Sequence, residues 1–227
     1  MVKYAATILV ILGAGVAFFI AKQGAQEENP RVSQNKDYYM NRDQVLDEFP
    51  IDSNSIVFAG DSHFQNFELA ELLENPHVKN RGINGDDVRG LSKRIVSYLD
   101  NSPKAIILLI GVNDLGNGRS PEDVMKDYER LTALINSKAP NTMLFCLNIP
   151  PAESPNGYYK DINKQIVKFN ELLCDHCAAN RIGHINIYDS LVSKGVLAPK
   201  YSADGLHLSG EGYLIVAEAL KKAITFL

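Results

Sequence analysis

One stretch limits the fold more than any other: KAIILLI at residues 104–110. It is apolar on both faces of a strand, and such a strand is stable only when layers cover both sides. That is the environment of a parallel sheet between helices. The rest of the chain supplies the same alternation. Short strand-like runs fall at 56–59, 78–80, 142–148 and 184–187. Helical segments lie around them, at 38–49, 67–74, 87–99, 120–138, 159–180 and after Ser209. Ser120 can cap its helix, and Pro121 suits the first turn. Val124, Tyr128, Leu131 and Ile135 recur at helical spacing, as do Tyr213, Val216, Leu220 and Ile224. The pattern predicts an α/β fold: a three-layer, flavodoxin-like sandwich with a five-stranded parallel sheet.

A hydrophobic helix is expected ahead of the sheet. Residues 5–21, AATILVILGAGVAFFIA, are 17 uncharged positions between Lys3 and Lys22. This is at the short end for a bilayer span. Residues 1–22 therefore read as a membrane anchor or signal segment. Signal cleavage wants small residues in an A-x-A-like pattern. Phe19 stands two before Ala21 and Gln23 two before Ala25, so an uncleaved anchor fits better. The short positive start favours export to the periplasmic or extracytoplasmic side, although Lys22, Arg31 and Lys36 outnumber Lys3. Residues 23–36 are polar, contain Pro30 and read as a linker, leaving a domain over 37–227.

Charge and cysteine usage narrow the function. The net charge is −4 and no Lys/Arg run stands out, so nucleic-acid binding has little electrostatic support. Three cysteines do not make a disulfide framework. Cys174-Asp175-His176-Cys177 has metal-like spacing, but no second CxxC completes a tetrahedral site. Cys177 instead continues the apolar face Ile162, Ile166, Phe169, Leu173. Asp86-Asp87 precede a helix and read as acids of its first turn. His77, His176 and His184 sit in a loop, a helix and a strand start without chemical neighbours. No metal and no cofactor are expected.

In parallel α/β sheets ligands bind beyond the carboxyl ends of the strands. Those ends carry GDSH (60–63), RGINGD (81–86), GVNDLGNG (111–118) and IPPAES (149–154), and YSADGLHLSGEGY (201–213) precedes the last helix. Ester hydrolysis needs a nucleophile, a base, a group that orients the base and donors for the oxyanion. Ser62 can be the nucleophile at an exposed turn. Asp204 and His207 are three apart, so a carboxylate can hold one imidazole nitrogen and leave the other free. Gly82 can bring a backbone N–H close to a ligand, and Asn113 can aim its amide at the same place. Each residue alone is an ordinary loop or turn residue; the ordered set is the signal.

GDS at 60–62, RGINGD at 81–86, GVND at 111–114 and DGLHLSGEGY at 204–213 resemble the SGNH hydrolases, also called the GDSL esterase/lipase family. The resemblance covers about residues 50–227. It implies a serine esterase with Ser62 as nucleophile, His207 as base and Asp204 as orienting acid. The Ser62 N–H, the Gly82 N–H and the Asn113 side chain would form the oxyanion hole. One departure is His63, where members carry Ile or Leu; it is expected to line the substrate pocket or to make a structural hydrogen bond rather than serve as the base. Family members cleave acetyl groups from sugars, acyl groups from lysophospholipids, and thioesters. The chain has no insertion long enough for a lid, and the loop at 150–159 offers Asn156, Tyr158 and Tyr159 to a polar alcohol. A short-acyl ester on carbohydrate is the expected substrate. A lysophospholipase or thioesterase activity is the alternative, and a non-catalytic binding module on the same fold is a third reading.

Overall fold

A computed structural model describes residues 30–153 and 162–227. The hydrophobic segment 5–21 and the expected substrate residues Asn156, Tyr158 and Tyr159 lie outside them. Two compact units are distinguished, 1–40 and 41–227. The second holds the sheet. Among the described residues no helix is long and apolar enough to cross a membrane.

The sheet strands are β1 (Ile56–Gly60), β2 (Val78–Gly82), β3 (Ala105–Leu109), β4 (Met143–Leu147) and β5 (Gly183–Ile185). They pair in parallel in the order β2-β1-β3-β4-β5. The expected five-stranded parallel sheet is therefore present. Strands β1 and β3 are buried along their whole length because they are central.

Side chains alternate along each strand and divide the core in two. Val57, Ala59, Ile106 and Leu108 pack into one apolar cluster with Val88, Tyr128, Leu131 and Phe169. Ile56, Phe58, Ile107 and Leu109 pack into the other with Phe64, Leu73, Tyr213 and Leu220. The chain supplies helices to both faces for that reason. The first cluster takes α4 (Val88–Arg94), α5 (Val96–Leu99), α7 (Pro121–Lys138) and α8 (Ile162–Asn180). The second takes α2 (Ser62–Gln65), α3 (Leu69–Leu73) and α10 (Gly210–Ala223). Two shorter helices, α6 (Val112–Gly116) and α9 (Tyr188–Leu191), follow β3 and β5.

Several boundaries differ from the sequence reading. Helix α1 runs over Pro30–Asp47, so the linker expected over 23–36 is helical from Pro30 on. PRVSQNK has no apolar period to announce a helix, whereas proline at a helix start costs nothing. Strand β2 reaches Gly82 because Arg81 and Gly82 pair with Ala59 and Gly60. The segment 87–99 is two helices rather than one. A small hairpin, β6 (Val192–Ser193) and β7 (Val196–Leu197), was not signalled by any alternation. Its turn, Lys194-Gly195, has both residues at positive φ (53° and 82°), the geometry that closes two-residue hairpins.

Candidate active site

The chain passes from β1 to β2 on one side and then crosses to β3 on the other. This reversal opens a crevice at the strand carboxyl ends. Ser62 follows β1 there, and Asn113 follows β3.

Ser62 is the first residue of α2 and is buried except for a small window. Asp61 caps this short helix: its carboxylate accepts the His63 N–H at 2.9 Å. Phe64 anchors the turn from beneath, with its ring edge-on to Phe58 at 5.3 Å. Asn80 ties down the far end, donating to Phe64 O at 2.6 Å and Phe67 O at 3.1 Å.

His207 and Asp204 arrive on the loop before α10. Ser209 caps that helix through the Gly212 N–H. The loop is locked by its own polar groups. Asp204 Oδ1 accepts the Leu206 N–H at 2.9 Å and the His207 N–H at 2.8 Å. Ser202 donates its hydroxyl to His207 O at 2.7 Å and accepts the Gly205 N–H at 2.9 Å. This turn places Asp204 Oδ2 2.6 Å from His207 Nδ1. The opposite ring nitrogen, Nε2, lies 3.1 Å from Ser62 Oγ. The structure thus brings the three sequence-predicted residues into one hydrogen-bonded chain across 145 positions. Partial burial works against ionisation of Asp204. The hydrogen bonds from the His207 ring and from two backbone N–H groups outweigh it and hold the carboxyl well below the usual carboxylate range.

Asn113 is held from the neighbouring loop, donating one amide hydrogen to Asp86 O at 2.8 Å. Its amide carries a second hydrogen that this bond does not use. The Asp86 loop is itself pinned by a buried ion pair with Arg94, whose guanidinium also donates to Gly60 O at 3.0 Å. Asp87 caps α4 through the Gly90 N–H at 2.7 Å.

Gly82 does not meet the expectation of an oxyanion donor. Its N–H donates to Asn80 Oδ1 at 2.9 Å. Its glycine identity answers to packing: a Cβ would stand 2.2 Å from Gln65 N. Three residues on, Gly85 has φ +76° with open space where a side chain would point, and its N–H has no partner among the described residues. The signal for Gly85 was in RGINGD, but nothing in the string distinguishes the two glycines.

His63 is buried beside the nucleophile turn. Its side chain is 2% exposed and lies between Asp61 Oδ1 (3.0 Å from Nδ1) and Leu206 O (3.2 Å from Nε2). Of the two expectations, the structural hydrogen bonder is the one seen. The remaining histidines lie elsewhere: His176 bonds Thr132, His184 bonds Asn148, and His77 is exposed. Cys146 and Cys177 are core residues, while Cys174 is exposed. Among the described residues no three His, Cys, Asp or Glu side chains gather as metal ligands.

The fold and the sequence both have relatives. Platelet-activating factor acetylhydrolase IB subunit alpha2 of Homo sapiens is 29% identical over 180 residues, covering 74% of this chain and 75% of that protein. A crystal structure of a GDSL-like lipase from Bacteroides thetaiotaomicron VPI-5482 matches with TM-score 0.74 at 21% identity, covering 83% of this chain and 97% of that one. An acetyl-xylooligosaccharide esterase variant from Geobacillus Stearmophilus shares the fold with TM-score 0.63 at 16% identity, over 78% of this chain and 96% of that one. The family model of the GDSL-like lipases/acylhydrolases spans residues 54–215, from the start of β1 into α10. With that span matched, the chain belongs to the GDSL-like Lipase/Acylhydrolase family and is a carboxylic ester hydrolase.

Proposed function

We propose that Ser62, His207 and Asp204 hydrolyse short-acyl esters, foremost acetyl esters on carbohydrate, through an acyl-enzyme. The observation that carries this reading is the unbroken chain Asp204–His207–Ser62 at 2.6 and 3.1 Å. His207 Nε2 accepts the Ser62 proton as Oγ attacks the ester carbonyl. Asp204 fixes the tautomer that leaves Nε2 free and stabilises the imidazolium that forms. The imidazolium returns its proton to the departing alcohol. A water then attacks the acyl-enzyme by the same route, giving the acid and free Ser62. The oxyanion is received by the Ser62 N–H, the free hydrogen of the Asn113 amide and, in place of Gly82, the Gly85 N–H. Each such donor contributes on the order of 3 kcal/mol.

The acyl preference is supported by the names of the relatives, which share the acetyl group and differ in the alcohol. The polar side chains Asn156, Tyr158 and Tyr159 favour sugar. A lipid alcohol is the second reading, because the relative at 29% identity is named for platelet-activating factor. The apolar run 5–21 favours a chain anchored in a membrane or exported, with residues 37–227 as the hydrolase domain.

The test compares the chain with Ser62→Ala on p-nitrophenyl acetate, butyrate and octanoate, then on acetylated xylooligosaccharide and an acetylated ether phospholipid. Ser62→Ala is expected to lose about 10⁴–10⁶ in kcat. Equal rates for the two proteins would sink the serine-esterase reading. Faster octanoate than acetate turnover would sink the short-acyl assignment.

A further inference from the structure

The residue next to the nucleophile is placed unlike a pocket residue. The His63 ring has an oxygen at each nitrogen: Asp61 Oδ1 at Nδ1 (3.0 Å) and the Leu206 carbonyl at Nε2 (3.2 Å). A carbonyl only accepts, and so does an ionised carboxylate. A neutral imidazole has one N–H and one lone pair, so one of the two contacts would set lone pair against lone pair. With Asp61 ionised, only the doubly protonated ring satisfies both. The His63 and Asp61 side chains are 2% and 1% exposed, so a mismatched contact between them is costly.

The second oxygen belongs to the residue preceding His207. Leu206 is part of the Asp204–His207 turn, and the His207 ring centre lies 6.2 Å from that of His63. His63 is therefore the strut between the nucleophile turn and the loop that carries base and orienting acid. Its backbone is held independently: Tyr213 of α10 donates its hydroxyl to His63 O at 2.9 Å and stacks on Phe67 at 4.6 Å.

We infer that His63 is a buried imidazolium and a positioning residue, which sets the His207–Ser62 distance through Asp61 and the Leu206 carbonyl. This rests on the esterase reading above only in its kinetic consequence; the protonation state stands by itself.

The surroundings agree. Burial pulls the His63 pKa down. The charge and hydrogen bond of Asp61, the Leu206 carbonyl and the charge of Asp204 outweigh burial and raise it. The groups that face the ring are Asp61 from its own turn and Asp204 and His207 from the loop, while Tyr213 from α10 bonds the His63 backbone carbonyl. The strut is intact at low pH and fails as pH rises through the raised pKa. Hydrolysis then declines on the alkaline side through loss of alignment.

The experiment uses the full chain and two readouts. Long-range ¹H–¹⁵N spectra of the imidazoles, taken near pH 7 on Ser62→Ala, are expected to show both His63 nitrogens protonated, the signal being identified by its absence from His63→Gln. A neutral tautomer overturns the inference. In kinetics with p-nitrophenyl acetate, His63→Leu is expected to lose about 100-fold in kcat, the cost of misplacing a reacting group by about 1 Å. KM should stay within about twofold, since no substrate contact is removed. His63→Gln can still donate to the Leu206 carbonyl and is expected to recover about tenfold of that loss. It should also lose the alkaline decline. Wild-type kcat in His63→Leu, or an unchanged alkaline limb in His63→Gln, overturns the positioning role. If His63→Leu does not fold, the spectrum and the Gln variant decide. If Ser62→Ala hydrolyses at the wild-type rate, the esterase reading fails while the spectrum still judges the imidazolium.

Discussion

Replacing Gly82 by alanine separates a glycine kept for its N–H from one kept for its missing side chain. Alanine retains the N–H, so loss of a donor cannot explain any effect. The added methyl would stand 2.2 Å from Gln65 N and 2.8 Å from Asp61 O and Gln65 Cα. Ordinary contact begins at 3.4 Å, so relief needs 3.4 − 2.2, about 1.2 Å, of movement between β2 and α2. Every atom in the way is backbone, and Ser62 opens the helix that must give. Ser62 Oγ starts 3.1 Å from His207 Nε2, so such a shift takes the pair beyond hydrogen-bond reach. A misplacement of about 1 Å at a reacting group costs about 100-fold in rate. Overpacking itself destabilises by about 1–3 kcal/mol, or about 2–12 °C in a domain of this size. The assay is kcat and KM for p-nitrophenyl acetate beside thermal unfolding. The expected result is a fall of about 100-fold in kcat with a lowered Tm. A Gly82→Ala enzyme with wild-type kcat and Tm would refute the packing argument and reopen Gly82 as a simple backbone donor.

Asn113→Ala removes a proposed oxyanion donor and should lower kcat by about 10²–10³ with little change in KM, measured by steady-state hydrolysis; an unchanged kcat removes Asn113 from the oxyanion hole. Asp204→Asn keeps the turn but favours the wrong His207 tautomer, and kcat should fall by about 10⁴; hydrolysis within tenfold of wild type would show that Asp204 does not orient the base. Stability should depend on His63. Its folded pKa is raised above the ordinary 6.5, so its contribution is fully present below that value and is lost as pH rises through the folded pKa. Tm should therefore decline on the alkaline side of 6.5 in wild type and lose that decline in His63→Leu; identical profiles would argue against a charged ring.

The sequence alone determined what depends on local order. KAIILLI demanded two covering layers, and the observed sheet meets that demand with Ile107 and Ile106 facing opposite clusters. The blocks GDS, GVND and DGLH were legible because each sits at a strand end or before a helix, and chain order alone puts those ends on one side of the sheet. Even the Asp204–His207 contact was implicit in spacing, since one turn joins positions three apart. The tertiary structure decided whatever depends on which atoms meet from distant segments. Gly82 and Gly85 are equivalent as letters; the approach of α2 to β2 makes the first a packing residue and leaves the second open. Asn80, unremarked in the string, holds α2 and the turn after it through two hydrogen bonds because β2 runs beside them. His63 beside Ser62 suggested a pocket or a local bond, and only the arrival of Leu206, 143 positions later, gives its second nitrogen an acceptor. Spacing along a chain specifies neighbours within a turn; charge state and close approach are set by partners that folding alone delivers.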